Sequence, residues 1–459
     1  MMNPGRILAG LAVALVGCPS PALLEDAGSS SELDAAAEPV DAAVEPDAWI
    51  PPVPTRAPEV ANAVAAGDPL FDGQQRFLYD TWGVEILGEW PPADFMIALM
   101  SAEPDVFGDQ YARFGFLPDA TNELPLGFVR GTEDSSEVHE TCALCHTDRL
   151  PDGRLWFGVA NQRLDFDAFR AAVSERWVAA GHEPLTTPQH LARIHLGGPG
   201  RFDTVGSDAV DGIPVDLPNL LDYAERTATN YGGTGANART EIYLSTFAFG
   251  AGAPNAMTAR VPFPPTTRIQ PMVDFIVSLR PPPAPVGDTA AIERGAALFA
   301  RERCDSCHHP DDVSRDGVVT ISRMGAPEAL PDTATPRGVI ATDPRRFGLQ
   351  DATGGSTAAG EVADFLRFIT AHRLSVRASD GYRAGYLHAL WATAPYLHNG
   401  SVPTLEDLLR PAAERPASFM RGEFLVDTTV PGNSNQGHEF GTAITEEERT
   451  DLAAYLRSL

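Results

Sequence analysis

Apolar residues recur at helical spacing in three places along the chain. In TRIQPMVDFIVSLR, residues 267–280, Met272, Phe275, Ile276 and Leu279 fall on one face, and Pro281, Pro282 and Pro283 forbid any continuation. In TAAIERGAALFARER, residues 289–303, Ala291, Gly295, Leu298 and Phe299 share a face that runs into Cys304. The chain closes on TEEERTDLAAYLRSL, where Thr445 is placed to cap a helix whose first turn is Glu446 to Glu448 and whose stripe is Leu452, Tyr455 and Leu456. The first and last of these segments end alike, Phe275-Ile-Val-Ser-Leu279 and Tyr455-Leu-Arg-Ser-Leu459. That likeness predicts a duplicated helical unit, divided by a stiff proline linker at 281–288. Between the helices, stretches such as 196–240 show no period, and glycine and proline together make 81 of 459 residues. The pattern predicts a mainly α protein with extensive loops.

The amino-terminal pattern is of another kind. Ile7 to Gly17, ILAGLAVALVG, is apolar behind the single charge of Arg6, and eleven residues fall short of the roughly 20 a membrane-spanning helix needs. It reads as an export signal, and Leu15-Val16-Gly17-Cys18 resembles a lipobox, which predicts a lipoprotein signal peptide over 1–18 and lipidation of Cys18. An ordinary signal peptide with an incidental cysteine is the alternative. Residues 19–70 carry ten acidic residues against Arg56 and show no apolar period, so they are expected to form a disordered acidic, Ala/Pro-rich tether. Together these place the protein on the periplasmic side of a bacterial membrane or at the cell surface. Pro19 after Cys18 supplies no inner-membrane retention signal, which favours the outer membrane.

The net charge of −28, with no lysine, disfavours nucleic acid and anionic lipid head groups as partners, whereas an acidic face suits a small basic redox carrier. About 390 residues remain after signal and tether, enough for two domains, at 71–280 and 289–459.

Four of the five cysteines fall in two copies of one motif, Cys142-Ala-Leu-Cys145-His146 and Cys304-Asp-Ser-Cys307-His308. In C-x-x-C-H two thiols add across the vinyl groups of a haem and the adjacent histidine reaches the iron. A four-cysteine zinc site would leave both histidines unexplained, and a thioredoxin-like dithiol needs neither. The expectation is two covalent haems c, proximal ligands His146 and His308, one per cytochrome c-like domain. Such haems are attached outside the cytoplasm, which agrees with the export signal.

The sixth position of each iron decides function, since a bound side chain favours electron transfer and an open position admits peroxide or oxygen. GYLHALWATAPYLHNGSVPTLEDLL (385–409) and PGNSNQGHEFGTAITEEERTDLAAYLRSL (431–459) resemble the second domain of the di-haem cytochrome c peroxidase superfamily, in the branch that includes the rubber oxygenases. In the first half, CALCHTDRLPDGRLWFGVANQRLD and GGPGRFD (197–203) are similar to the same group. The peroxidase branch places a methionine fourteen residues beyond the histidine of APYLHNG. Here that position is Ala412, so the resemblance implies His438 as sixth ligand of the C-terminal haem, with His398 bonding a propionate or loop and Met420 in reserve. For the N-terminal haem, His190 and His195 remain open candidates and the resemblance implies a reactive, accessible iron. Relatives commonly relay electrons through a tryptophan between the haems; none occurs between Trp177 and Trp391, which leaves Phe202, Tyr231, Tyr243, Phe247 or Phe249. Some relatives carry calcium between the domains.

Three functions follow. The first is peroxide reduction at the N-terminal haem, fed through the C-terminal one, with a distal acid-base residue that no motif marks. The second is a di-haem electron carrier. The third is a dioxygenase acting on an apolar polyisoprenoid.

Overall fold

The computed structural model describes residues 59–80, 90–120, 122–131, 136–185, 197–202, 215–227, 229, 237–240, 242–243, 266–312, 315–316, 318–320, 381–430 and 432–459. Cys18, His190, His195, Tyr231, Phe247 and Phe249 lie outside them. Helices and loops dominate, and among the described residues strands occur only as short two-stranded antiparallel ladders, such as Thr147–Arg149 with Leu155–Phe157 and Ser418–Arg421 with Phe424–Asp427.

Two helix pairs organise the two halves. In the C-terminal half, α6 (Thr289–Arg301) crosses α7 (Glu446–Ser458). Asp288 caps α6, and Thr445 with Glu448 closes a capping box on α7, satisfying the first free N–H groups of each helix. The crossing is at Gly295, where a Cβ would overlap the Asp451 carbonyl oxygen and lie 2.6 Å from Tyr455 Cβ. Phe299, one turn on, meets Tyr455 edge-on at 5.4 Å, and Arg294 grips Asp451 with two bonds of 2.7 Å.

The first half repeats this crossing. Its partner to α5 (Thr266–Ser278) is α1 (Phe71–Tyr79), and the contact point is Gly73, where a Cβ would overlap the Pro271 carbonyl oxygen and lie 2.8 Å from Phe275 Cβ. Phe77 then packs on Phe275 at 5.5 Å. Gly73/Phe77 against Pro271/Phe275 thus matches Gly295/Phe299 against Asp451/Tyr455, position for position. Even the terminal serines agree: Ser278 donates to the Phe275 carbonyl at 2.6 Å and Ser458 to that of Tyr455 at 2.7 Å. The chain after each glycine differs, because Cys304 follows Gly295 by 9 positions and Cys142 follows Gly73 by 69. The added residues include α2 (Ala93–Ala102) and build an aromatic core in which Phe116, Phe128 and Trp90 surround Phe169 of α4 (Phe166–Ala179).

The tether is expected to reach residue 70, but the chain meets the body by residue 60: Val60 is buried and bridges Leu155, and Asn62 exchanges two hydrogen bonds with the Phe157 backbone. The few apolar side chains here have no period because they lie on the body as irregular chain. No helix among the described residues is long and apolar enough to cross a membrane.

The halves are joined by buried polar contacts. Arg201 donates to Asn433 at 2.8 Å and to the Gly400 carbonyl at 3.0 Å. Arg421 pairs with Asp216 at 3.1 Å and also donates to Gln162. Burial of such charges is tolerable only with partners, and these contacts supply them.

Candidate haem sites

The C-terminal motif begins at the end of α6. Arg303 turns into the left-handed region at φ +61, and Cys304–Ser306 forms a single tight turn that brings His308 N–H onto the Cys304 carbonyl at 3.0 Å. His308 is fixed by a 2.8 Å hydrogen bond from Nδ1 to the Gly385 carbonyl, which leaves Nε2 as the available ligand atom. Opposite stands His438, held on backbone at φ +51 directly after Gly437.

The two imidazole centres are 6.2 Å apart. Two imidazoles on opposite sides of one metal, each with a metal–nitrogen bond of about 2.0–2.1 Å, would have centres roughly 6.3 Å apart. Around them is a cavity of about 280 Å³, walled by Cys304, Cys307 and His398 and by apolar side chains of α6 and α7 such as Phe299 and Leu452. A flat apolar macrocycle with two thioether bonds and two axial nitrogens fits this set of groups. Burial pushes His438 down to about 3, with His308 adding to the shift, and lowers His308 as well, so both rings are the neutral, metal-binding form. His398 is buried, and its carbonyl accepts from Asp216 N–H at 2.8 Å. Met420 is 58% exposed on its hairpin and does not line the cavity.

The N-terminal motif forms the one-turn helix α3 (Cys142–Cys145). His146 N–H meets the Cys142 carbonyl at 3.1 Å, and its Nδ1 lies 3.1 Å from the Pro218 carbonyl, so the His308 arrangement recurs. Burial lowers His146 to about 4. Cys142 Sγ is 3.6 Å from Met272 Sδ. Burial pushes Cys145 and Cys304 up to about 12, which disfavours thiolate chemistry at either motif. No group of three or more His, Cys, Asp or Glu among the described residues is placed to hold a metal ion, so the four cysteines do not converge on zinc.

Between the motifs lies a polar cluster that sequence reading missed. Pro218, whose carbonyl holds His146, precedes Asn219, and Asn219 Oδ1 accepts from Arg226 at 2.7 Å. The Arg226 guanidinium lies between the rings of Tyr223 and Tyr386, 4.5 Å from each. Tyr386 follows Gly385, whose carbonyl holds His308. The Tyr386 hydroxyl donates to Asp222 and is 2.7 Å from His388 Nδ1. His388 Nδ1 is also 3.0 Å from Asp222, and its Nε2 faces the Pro310 carbonyl at 2.7 Å. Among the aromatic relay candidates, Tyr243 is buried in the first-half core. The signal was faint: Tyr223, Arg226 and Tyr386 are ordinary residues until the fold brings 222–226 against 385–388.

The hydrogen bond with Asp222 raises His388 above its ordinary value, against the opposing effect of burial. Burial pushes Asp222 up, but its bonds with His388 and Tyr386 and the nearby charges of His388 and Arg280 outweigh this and hold it low. A histidine raised in the folded state gives stability that is complete below about pH 6.5 and is lost as pH rises through the folded value. Thermal unfolding of the wild type should therefore lose stability relative to His388→Gln as pH rises above about 6.5; parallel curves would contradict the pairing.

Comparison with known proteins sets these sites in context. Residues 381–420 match a family described as RoxA-like, cytochrome c-like. The segment holds Gly385, Tyr386, His388 and His398, so the C-terminal half contains a cytochrome c-like domain, and that class implies covalent haem c. The chain is 30% identical to the uncharacterized protein y4iJ of Sinorhizobium fredii over 79% of its own length and 86% of the relative, and it belongs to that protein's family. A second uncharacterized protein of that organism, y4iM, is 34% identical over 35% of this chain, which spans 38% of the relative. A hydrazine synthase structure from Kuenenia stuttgartiensis aligns with 55% of this chain and 74% of its own at 14% identity, with a TM-score of 0.28, too low to bear on fold or function.

Proposed function

We propose that the protein is a di-haem c-type oxidoreductase of two tandem cytochrome c domains that reduces hydrogen peroxide at the N-terminal site with electrons received through the C-terminal one. The haem supplies one-electron redox chemistry when bound. Cys304, Cys307, His308 and His438 would hold one haem, and a site engaged by both histidines would relay electrons without binding substrate. Cys142, Cys145 and His146 would hold the other, and peroxide reduced at that site would take up two electrons and two protons to give two waters. The observation that carries the reading is the 6.2 Å spacing of His308 and His438 across the cavity. The acidic chain suits a small basic redox carrier as donor, and lipidated Cys18 would hold the protein at the periplasmic side of a membrane, preferably the outer one.

A second reading, oxygen-dependent cleavage of an apolar polyisoprenoid at the same site, draws support from the RoxA-like match. That match covers the relay half, which both chemistries would share. The deciding experiment supplies the reduced holoprotein with peroxide and, separately, the ferric and reduced protein with dioxygen and a polyisoprene emulsion. Peroxide consumption with oxidation of a c-type donor supports the first reading; carbonyl-terminated isoprenoid fragments overturn it for the second, and neither activity leaves electron carriage.

A further inference from the structure

The cluster around Tyr386 is more than a bolt between the halves. Its phenol is buried, its O–H is aimed at a carboxylate, and both nitrogens of the neighbouring His388 face acceptors, Asp222 and the Pro310 carbonyl. A ring with both nitrogens donating is a cation, which leaves Asp222 as the ionised acceptor of the phenolic proton. Removing an electron from a buried phenol is prohibitive unless its proton has somewhere to go, and here the acceptor is already hydrogen-bonded to it. The ring also touches Arg226, which is bonded to Asn219 beside the His146 carbonyl partner, while Tyr386 itself is covalently next to Gly385, the His308 partner.

We infer that Tyr386 is a redox-active tyrosine between the two motifs, with Asp222 as its built-in proton acceptor. The inference rests on the proposed di-haem reading. In the step, Tyr386 loses one electron toward the His146 site, where peroxide is the oxidant, and its O–H proton moves to Asp222 Oδ2. An electron arriving from the His308 side then reduces the neutral tyrosyl radical, and the proton returns from Asp222. The sum is one electron transferred from the His308 side to the His146 side, with Tyr386 and Asp222 restored.

The test is freeze-quench electron paramagnetic resonance on the reduced-then-reoxidised holoprotein mixed with hydrogen peroxide, using unlabelled and ring-deuterated tyrosine, with Y386F and D222N compared at equal haem content. The expected result is a tyrosyl signal that narrows with the label, disappears in Y386F and weakens or shortens in life in D222N. Peroxide consumption with no tyrosyl signal, or with the same signal in Y386F, overturns the inference and leaves the peroxidase reading standing. If the holoprotein does not react with peroxide, that reading fails, and flash oxidation by a ruthenium polypyridyl complex decides the inference alone. There, loss of a long-lived tyrosyl component in Y386F supports it, and an unchanged signal overturns it.

Discussion

Gly295→Ala should lower the stability of the C-terminal half by on the order of 3 kcal/mol, although on an isolated helix the same change would stabilise by about 1 kcal/mol. The added methyl would overlap the Asp451 carbonyl oxygen, a backbone atom inside α7 that cannot swing aside. Relief requires α6 and α7 to part, which loosens Phe299 from Tyr455 and opens the cavity wall that Phe299 and Leu452 form. Denaturant unfolding and haem content measure both effects. Gly73→Ala should show the same reversal in the first half, where the obstructing atom is the Pro271 carbonyl oxygen. A neutral or stabilised Gly295→Ala would mean that the helices do not cross at this glycine.

The second large effect is expected at His438. His438→Ala in the holoprotein should turn a six-coordinate low-spin iron into an open one, so that the reduced protein binds one more carbon monoxide per chain. Met420 cannot rescue the variant, because it stands 58% exposed on the hairpin away from the cavity. An unchanged carbon monoxide stoichiometry would remove His438 from the iron. A Met420→Ala variant should leave the spectrum of the wild type untouched.

The sequence made some of this legible and hid the rest for physical reasons. The haem motifs and α5, α6 and α7 are local: contiguous residues, strong periodicity, proline and capping signals. His438 was reachable only by resemblance, since nothing in SNQGHEFG distinguishes a ligand from a loop histidine. The helix α1 was not legible at all. Its nine residues bury Gln74, Gln75 and Arg76, so no apolar stripe marks it, and only the Gly-x-x-x-Phe spacing shared with Gly295 and Phe299 could have found it. The chain around Val60 and Asn62 misled for a related reason, because irregular chain packed on a body has the polar, proline-rich character of a tether. The Tyr386 cluster was hidden by distance, with Asp222 and Tyr386 separated by 164 positions.

The central claim is that one site is closed by His308 and His438 while the other keeps an open iron. An electron paramagnetic resonance spectrum of the ferric holoprotein at neutral pH, recorded with and without prior one-electron reduction, tests it most directly. The account predicts a low-spin signal from the C-terminal site beside a high-spin signal from the N-terminal one, the latter changed by added peroxide. Two low-spin signals in both states would contradict it and leave a di-haem electron carrier.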